Sequence, residues 1–274
     1  MELEALLNYP RALPAMSRTV SDLLAEMNKE DPSPKRVASL VAHDPALTTR
    51  VLRLSNSAFF RVSRQIGSAE EAVALLGMTH VRSLVMAAAL GSSFKNVPGV
   101  DMVQFWRYSL RVADISRSLS SLLRQNEGNA FTAGLVHAIG DLIMHIAMPD
   151  VIGPIDMGTP PLDLRRAEVE RSVLGYTYAE VGAGMAEKWQ FPTTIVSALK
   201  HQTAPFDGEV YDTLGGVLHL ASWRARAEEI QLDEAGLVRR LPRHDRPHAG
   251  PGPGQRAGQG SHGMVIQPGP QRIH

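Results

Sequence analysis

The chain contains no cysteine, which excludes a disulfide framework and any thiolate metal centre and fits a reducing compartment. It has no charge bias either. Its 28 Lys and Arg balance 28 Asp and Glu, so no whole-molecule field draws nucleic acid or an anionic membrane. The opening MELEALLNYP carries acidic residues where a secretory signal needs a basic region. The apolar run Leu84 to Leu90 is far shorter than the roughly 20 residues that span a bilayer. No stretch alternates apolar and polar residues at period two, which leaves no candidate strand and sets the expected fold class as all-α. We therefore expect a cytoplasmic protein with neither a membrane nor nucleic acid as partner.

What is present is a series of helical patterns with recognisable ends. Ser17 precedes Val20, Leu23, Leu24 and Met27 at helical spacing and is a candidate N-cap. Asp44-Pro45 places a cap and a first-turn proline before Leu47, Val51, Leu52 and Leu54. Ser68 followed by Glu71 is a capping-box pattern, and Gly77 reads as a C-cap before a helix from Met78 to Leu90. Leu52, Leu76 and Leu84 fall on the apolar stripes of these helices and should be buried. Asp101 can cap a long helix through Leu122, whose Arg107, Arg111, Arg117 and Arg124 read as a solvated surface. Pro149, Gly153, Pro154, Gly158, Pro160 and Pro161 mark an irregular connection, after which helices resume with a cap at Thr177 and close packing at Gly182 and Gly184. A further amphipathic pair covers Val210 to Leu241.

The stretch with most chemistry in it is Phe131 to Met148, FTAGLVHAIGDLIMHIAM, apolar on most sides and read as one buried helix. His137, Asp141 and His145 recur every four residues, about 40° of drift per step, and form one polar stripe on it. Neighbours in the stripe could share a metal ion; equally, each could be a core polar residue with a hydrogen-bond partner.

Four ordered blocks carry a resemblance: DPALTTRVLRLSNSAFF, IGSAEEAVALLGMTHVRSLV, FWRYSLRVA and FTAGLVHAIGD. Over residues 13 to 208 the chain resembles the HDOD family, output domains related to the HD phosphohydrolases. The resemblance implies an N-terminal helical bundle (13–97) packed on a larger bundle of HD topology (98–208). A lead-in (1–12), a helical extension (209–241) and a tail (242–274) complete the expected organisation. Active HD enzymes hold divalent cations through a scattered His, a His-Asp pair, further His residues and a distant Asp, and the metal makes a nucleophile of bound water. Carried over one position at a time, Tyr108 stands at the first His, and His137 keeps the His of the pair while Ala138 replaces its Asp. His201 survives from a His-His pair whose second member is Gln202, and Ser222 stands at the distant Asp. Asp141 occupies the position where catalytic relatives show Lys, and could substitute as a ligand. Two imidazoles without a carboxylate suit Mg²⁺ or Mn²⁺ poorly.

The expectation is thus a regulatory module of bacterial signal transduction without catalysis, cofactor or metal. It would act through signalling proteins or a small diffusible ligand at a remnant pocket of Tyr108, His137, Asp141, His201 and Gln202. The alternatives are a metal-dependent phosphohydrolase or cyclic-dinucleotide phosphodiesterase, and a helical nucleic-acid binder using Arg50, Arg53, Arg61 and Arg64, against which the balanced charge argues.

From Pro242 onward 13 of 33 residues are Pro or Gly and apolar periodicity vanishes, so this segment cannot offset its ordering entropy and should be disordered. Its His244, His248, His262 and His274 lack the regular spacing of a metal site. A chain ending at Leu241 should melt within a few degrees of the full chain. About 1 kcal/mol of lost packing would move the midpoint by roughly 2 to 4 °C at this size, and a larger drop in a calorimetric scan would show that the tail packs.

Overall fold

The computed structural model describes residues 1–9, 18–27, 29–56, 62–94, 96–207 and 211–231. The candidate cap Ser17, the motif residues Ser57 to Phe59 and the whole of segment 242–274 lie outside them. Among the described residues every regular element is a helix: α1 (Leu3–Leu7), α2 (Arg18–Met27), α3 (Pro34–Ala42), α4 (Pro45–Ser55), α5 (Ala69–Ser93), α6 (Met102–Leu122), α7 (Glu127–Val136), α8 (Ile139–Ala147), α9 (Pro149–Gly158), α10 (Arg166–Leu174), α11 (Tyr178–Lys188), α12 (Thr193–His201) and α13 (Thr213–Glu229). The all-α class read from the sequence is the class observed.

Local chemistry sets the helix ends. Asp44 accepts a hydrogen bond from the Leu47 amide, with Pro45 in the first turn of α4. Ser68 accepts from the Glu71 amide. Gly77, at φ +76°, kinks α5 where a C-cap is expected and divides it into two helical pieces. Asp101 caps α6 through the amides of Val103 and Gln104. Thr177 and Glu180 close a reciprocal capping box on α11. Asn56, one of the motif residues behind the resemblance, clamps the backbone of Ile66 by donating to its carbonyl (2.8 Å) and accepting from its amide (2.7 Å).

Helices α2 to α5 pack on one another, α6 to α13 form the larger group, and α5 lies against α7, so that one apolar core runs through both. Leu84 is buried, whereas Leu52 and Leu76 are only half-buried at the edge of that core. Helix α1 docks Leu6 into the core and seats Leu7 against Gly184 of α11, in a segment the sequence offered only as a lead-in. Helix α13 is no appendage: it packs along α6, α7 and α12. Arg107 and Arg111, read as plain surface, pair with Glu229 and Glu228 of α13. Exposed pairs of this kind are worth about 0 to 1 kcal/mol each.

Two expectations need correction. The stretch 131–148 is not one helix, because α7 ends at Val136, and the chain turns through His137 and Ala138 before α8 begins. The turn lets α7 lie on α6 while α8 lies on α11. Gly140 permits the second contact: a methyl there would run into the Tyr178 carbonyl and come within 2.6 Å of the Gly182 nitrogen. The stretch 127–147 has membrane-like hydropathy, yet it is interrupted at this turn and buried within the protein. Secondly, 149–158 is helical. Pro149 occupies the first turn, the buried Ile152 and Ile155 hold α9 down, and Pro154 faces solvent, where the carbonyl it leaves unbonded can reach water.

Two glycines test this packing. Gly140→Ala should cost about 1 to 3 kcal/mol or more, because backbone cannot yield as a side chain can. Gly153→Ala, which meets nothing within 4 Å on exposed α9, should be neutral or stabilising by roughly 0.5 to 1 kcal/mol. Urea unfolding of the two variants reads both values, and equal effects would refute the assigned α8–α11 approach.

Candidate functional site

Where α6, α8, α10, α11 and α13 converge, they line a partly open cavity of about 420 Å³. Apolar side chains such as Val100, Phe105, Pro161 and Leu162 line part of it, and Tyr108, Asp141, Arg166, Tyr178 and Arg226 supply its polar groups. Its two arginines are held very differently.

Arg166 is fully buried and surrounded by acceptors. Its Nε donates to Glu170 (2.7 Å), Nη1 to Asp156 (2.6 Å) and to the Thr159 carbonyl (2.7 Å), and Nη2 reaches Asp141 at 3.4 Å. Glu170 also accepts from the Tyr178 amide at 2.7 Å, and His145 Nε2 meets Asp156 at 2.8 Å. Burial raises the carboxyls of Asp141 and Glu170 above their ordinary range. Interactions with His145 and Arg166 at Asp141, and with the Tyr178 amide and Arg166 at Glu170, hold them back.

Arg226 is 9% exposed and touches no carboxylate among the described residues. Nε donates to the Tyr108 hydroxyl (3.0 Å), Nη2 to the Tyr178 hydroxyl (3.1 Å) and Nη1, at 3.5 Å, to the Asp163 carbonyl. Both phenols are buried and held protonated: burial outweighs the opposing pull of Arg226 and pushes Tyr178 up to about 12, and it raises Tyr108 in the same direction.

The family model described as HDOD domain matches residues 13–205. The chain belongs to the HDOD family. A crystal structure from Shewanella amazonensis SB2B, provisionally named a phosphohydrolase, is 34% identical to this HDOD chain, with 82% of this chain and 81% of that one covered and a TM-score of 0.73. A provisionally named signal transduction protein of Marinobacter aquaeolei VT8 is 22% identical, covering 87% of this chain and 57% of that one, at a TM-score of 0.64. An uncharacterised curated protein of Treponema pallidum (strain Nichols) is 20% identical over 226 residues, which are 78% of this chain and 42% of that protein.

Of the five residues proposed for the pocket of this HDOD protein, only Tyr108 and Asp141 line the cavity, together with Ala138. His137 lies behind Tyr108, the two rings meeting edge to face with centroids 5.0 Å apart. Its Nδ1 faces the Gly134 carbonyl at 2.8 Å, and its buried Nε2 has no hydrogen-bond partner among the described residues. Gln202 is buried beside it and donates to the His137 carbonyl (2.9 Å). His201 belongs elsewhere: its side chain is 39% exposed and turns toward Ser197 and Asp212. The break after α7 separates His137 from Asp141 and His145, which stay together on α8, with His145 Nδ1 2.7 Å from the Asp141 carbonyl. Ser222 bonds the His219 carbonyl at 3.1 Å, and Arg226 stands one turn beyond it on the same face of α13.

An HD-type divalent cation does not fit these residues. Tyr108, which the resemblance sets at the first ligand, is hydrogen-bonded to a guanidinium; Asp141 is engaged by Arg166; and no group of three or more His, Asp or Glu among the described residues could hold a metal ion. Sequence reasoning missed Arg166, Tyr178 and Arg226. The only local signal was the Arg166 to Glu170 spacing of four, which on a helix normally marks an exposed pair.

Burial pushes His137 down to about 3, against the backbone hydrogen bond to Gly134 that favours its charged form. Because the folded value lies below the ordinary 6.5, the unfolded chain binds the extra proton between these limits, and stability falls as pH drops through that window. In that window the loss from this residue is about 1.4 kcal/mol per pH unit. His137→Asn should remove that slope, so that wild type and variant diverge in unfolding free energy on going from pH 5 to 7. Parallel curves would mean that His137 is not held neutral.

Proposed function

We propose that this HDOD protein is a non-catalytic regulatory module of bacterial signal transduction, working in the cytoplasm by binding a partner protein or a small ligand. The observation that carries the reading is the Arg226–Tyr108 hydrogen bond. At the position where an HD enzyme places its first metal ligand, this chain has a phenol, and a permanently charged guanidinium sits 3.0 Å from its hydroxyl. A divalent cation at the same place would have to be desolvated beside that fixed positive charge, with Ala138 offering no donor. Family membership and the name of the Marinobacter structure support a signalling role.

A second reading, metal-dependent phosphohydrolysis, draws on the name of the Shewanella structure. Direct assay separates the two. Purified full chain, supplied with Mg²⁺ or Mn²⁺, should release no phosphate from phosphomonoesters and open no cyclic dinucleotide. Elemental analysis should find no stoichiometric metal. A stoichiometric Mn, Fe, Mg or Zn that disappears in His137→Asn, accompanied by loss of turnover, would establish the enzyme reading instead. For a regulatory module, His137→Asn should leave cellular output intact.

A further inference from the structure

Three side chains of the cavity wall, Arg226, Tyr108 and Tyr178, carry donors that meet no acceptor among the described residues. A guanidinium carries five N–H groups, and the structure engages three of those of Arg226. The hydroxyls of Tyr108 and Tyr178 each accept from Arg226 and therefore keep their own protons to donate. Neither O–H finds an acceptor among the described residues. Arg226, Tyr108 and Tyr178 together line one end of a cavity whose other walls include Val100, Phe105, Pro161, Leu162 and Ile230, so two N–H and two O–H groups without an acceptor among the described residues belong to the side chains of that end. Asp141, the buried carboxylate on its wall, faces Arg166 and His145. The exposed wall carboxylate, Asp101, has its Oδ1 engaged as the α6 cap. Buried donors of this number cost free energy unless an acceptor meets them. The group that satisfies a guanidinium and two phenols together is a planar or tetrahedral oxyanion.

Resting on the ligand-binding form of the regulatory reading, we propose that the cavity is a receptor site for a small organic anion. Its carboxylate or phosphate is clamped by Arg226, Tyr108 and Tyr178, and its compact apolar body lies against Phe105 and Leu162. The volume lies within the range of about 300 to 1,000 Å³ usual for small-molecule sites. A wholly inorganic anion would leave the apolar walls uncovered and bind more weakly. Occupancy would tie α6, α11 and α13 to one another through the ligand, which gives the site a means of transmitting its state to the surface of those helices.

The test is calorimetric titration of the full chain with hexanoate, hexyl phosphate, neutral hexanamide and inorganic phosphate. At least one organic anion should bind saturably at one site per chain, and roughly tenfold or more tighter than hexanamide, the difference expected of charge-assisted hydrogen bonds. The tighter of hexanoate and hexyl phosphate identifies the head group. Arg226→Gln should abolish that preference for the anion. In case that variant fails to fold, Tyr108→Phe and Tyr178→Phe keep the apolar bulk, remove one O–H each, and should weaken binding several-fold. Anion binding equal to that of hexanamide, or unchanged in both Phe variants, overturns the site. Hydrolysis of hexyl phosphate that depends on Arg226 would uphold the site and overturn the non-catalytic reading. Absence of both binding and hydrolysis would overturn the site alone.

Discussion

The buried guanidinium of Arg166 is the constraint on which the pocket end of the molecule depends. It gathers Asp141 from α8, Asp156 and the Thr159 carbonyl at the end of α9, and Glu170 from α10, and through Glu170 it also fixes the first amide of α11. A cation taken out of water at this depth is tolerable only because its donors find acceptors with good geometry. The carboxylates need it in turn, since without it three acids would crowd one buried site. This mutual requirement sets the relative positions of four helices that the apolar core alone, being non-directional, would leave free to slide.

The second arginine depends on that arrangement. Once α8 and α11 are held, Gly140 lets them close to backbone contact, and Tyr178 is brought opposite Tyr108 on α6 with Arg226 of α13 between the two hydroxyls. Arg166 is neutralised by acids, whereas Arg226 is solvated by neutral phenols and retains an outward-acting charge in the cavity. The cavity thus carries a fixed organic cation, held by neutral acceptors, within hydrogen-bond distance of both phenols. His137 is withdrawn behind Tyr108 and kept neutral by burial.

Much of the architecture was legible because it is written in local chemistry. Caps at Asp44, Ser68, Asp101 and Thr177 act over three or four residues and are visible wherever the residue types recur at that spacing. The bend at Gly77 follows from conformational freedom alone. The break at His137 was not legible, since every residue from Phe131 to Met148 suits a buried helix. What interrupts it is the need to face α6 with one half and α11 with the other. The helix over Pro149 to Gly158 was missed for the converse reason: its prolines argue against helix, and burial of Ile152 and Ile155 overrides them. Tyr108 was singled out through the resemblance and Asp141 through its place in the polar stripe, and both line the cavity, while His201, also taken from the resemblance, turns away from it.

By itself the sequence determined the helical class and those helix ends that a cap marks, because periodicity and capping are properties of neighbouring residues. It also carried the family resemblance through four ordered blocks. Only the tertiary structure decided which polar residues share a cavity. Arg226 lies 118 residues from Tyr108 and 48 from Tyr178, and Arg166 lies 25 from Asp141. An arginine on a helix reads the same from sequence whether it faces water or two buried phenols. The distinction is made by desolvation and by contacts between distant segments, which exist only once the helices have packed.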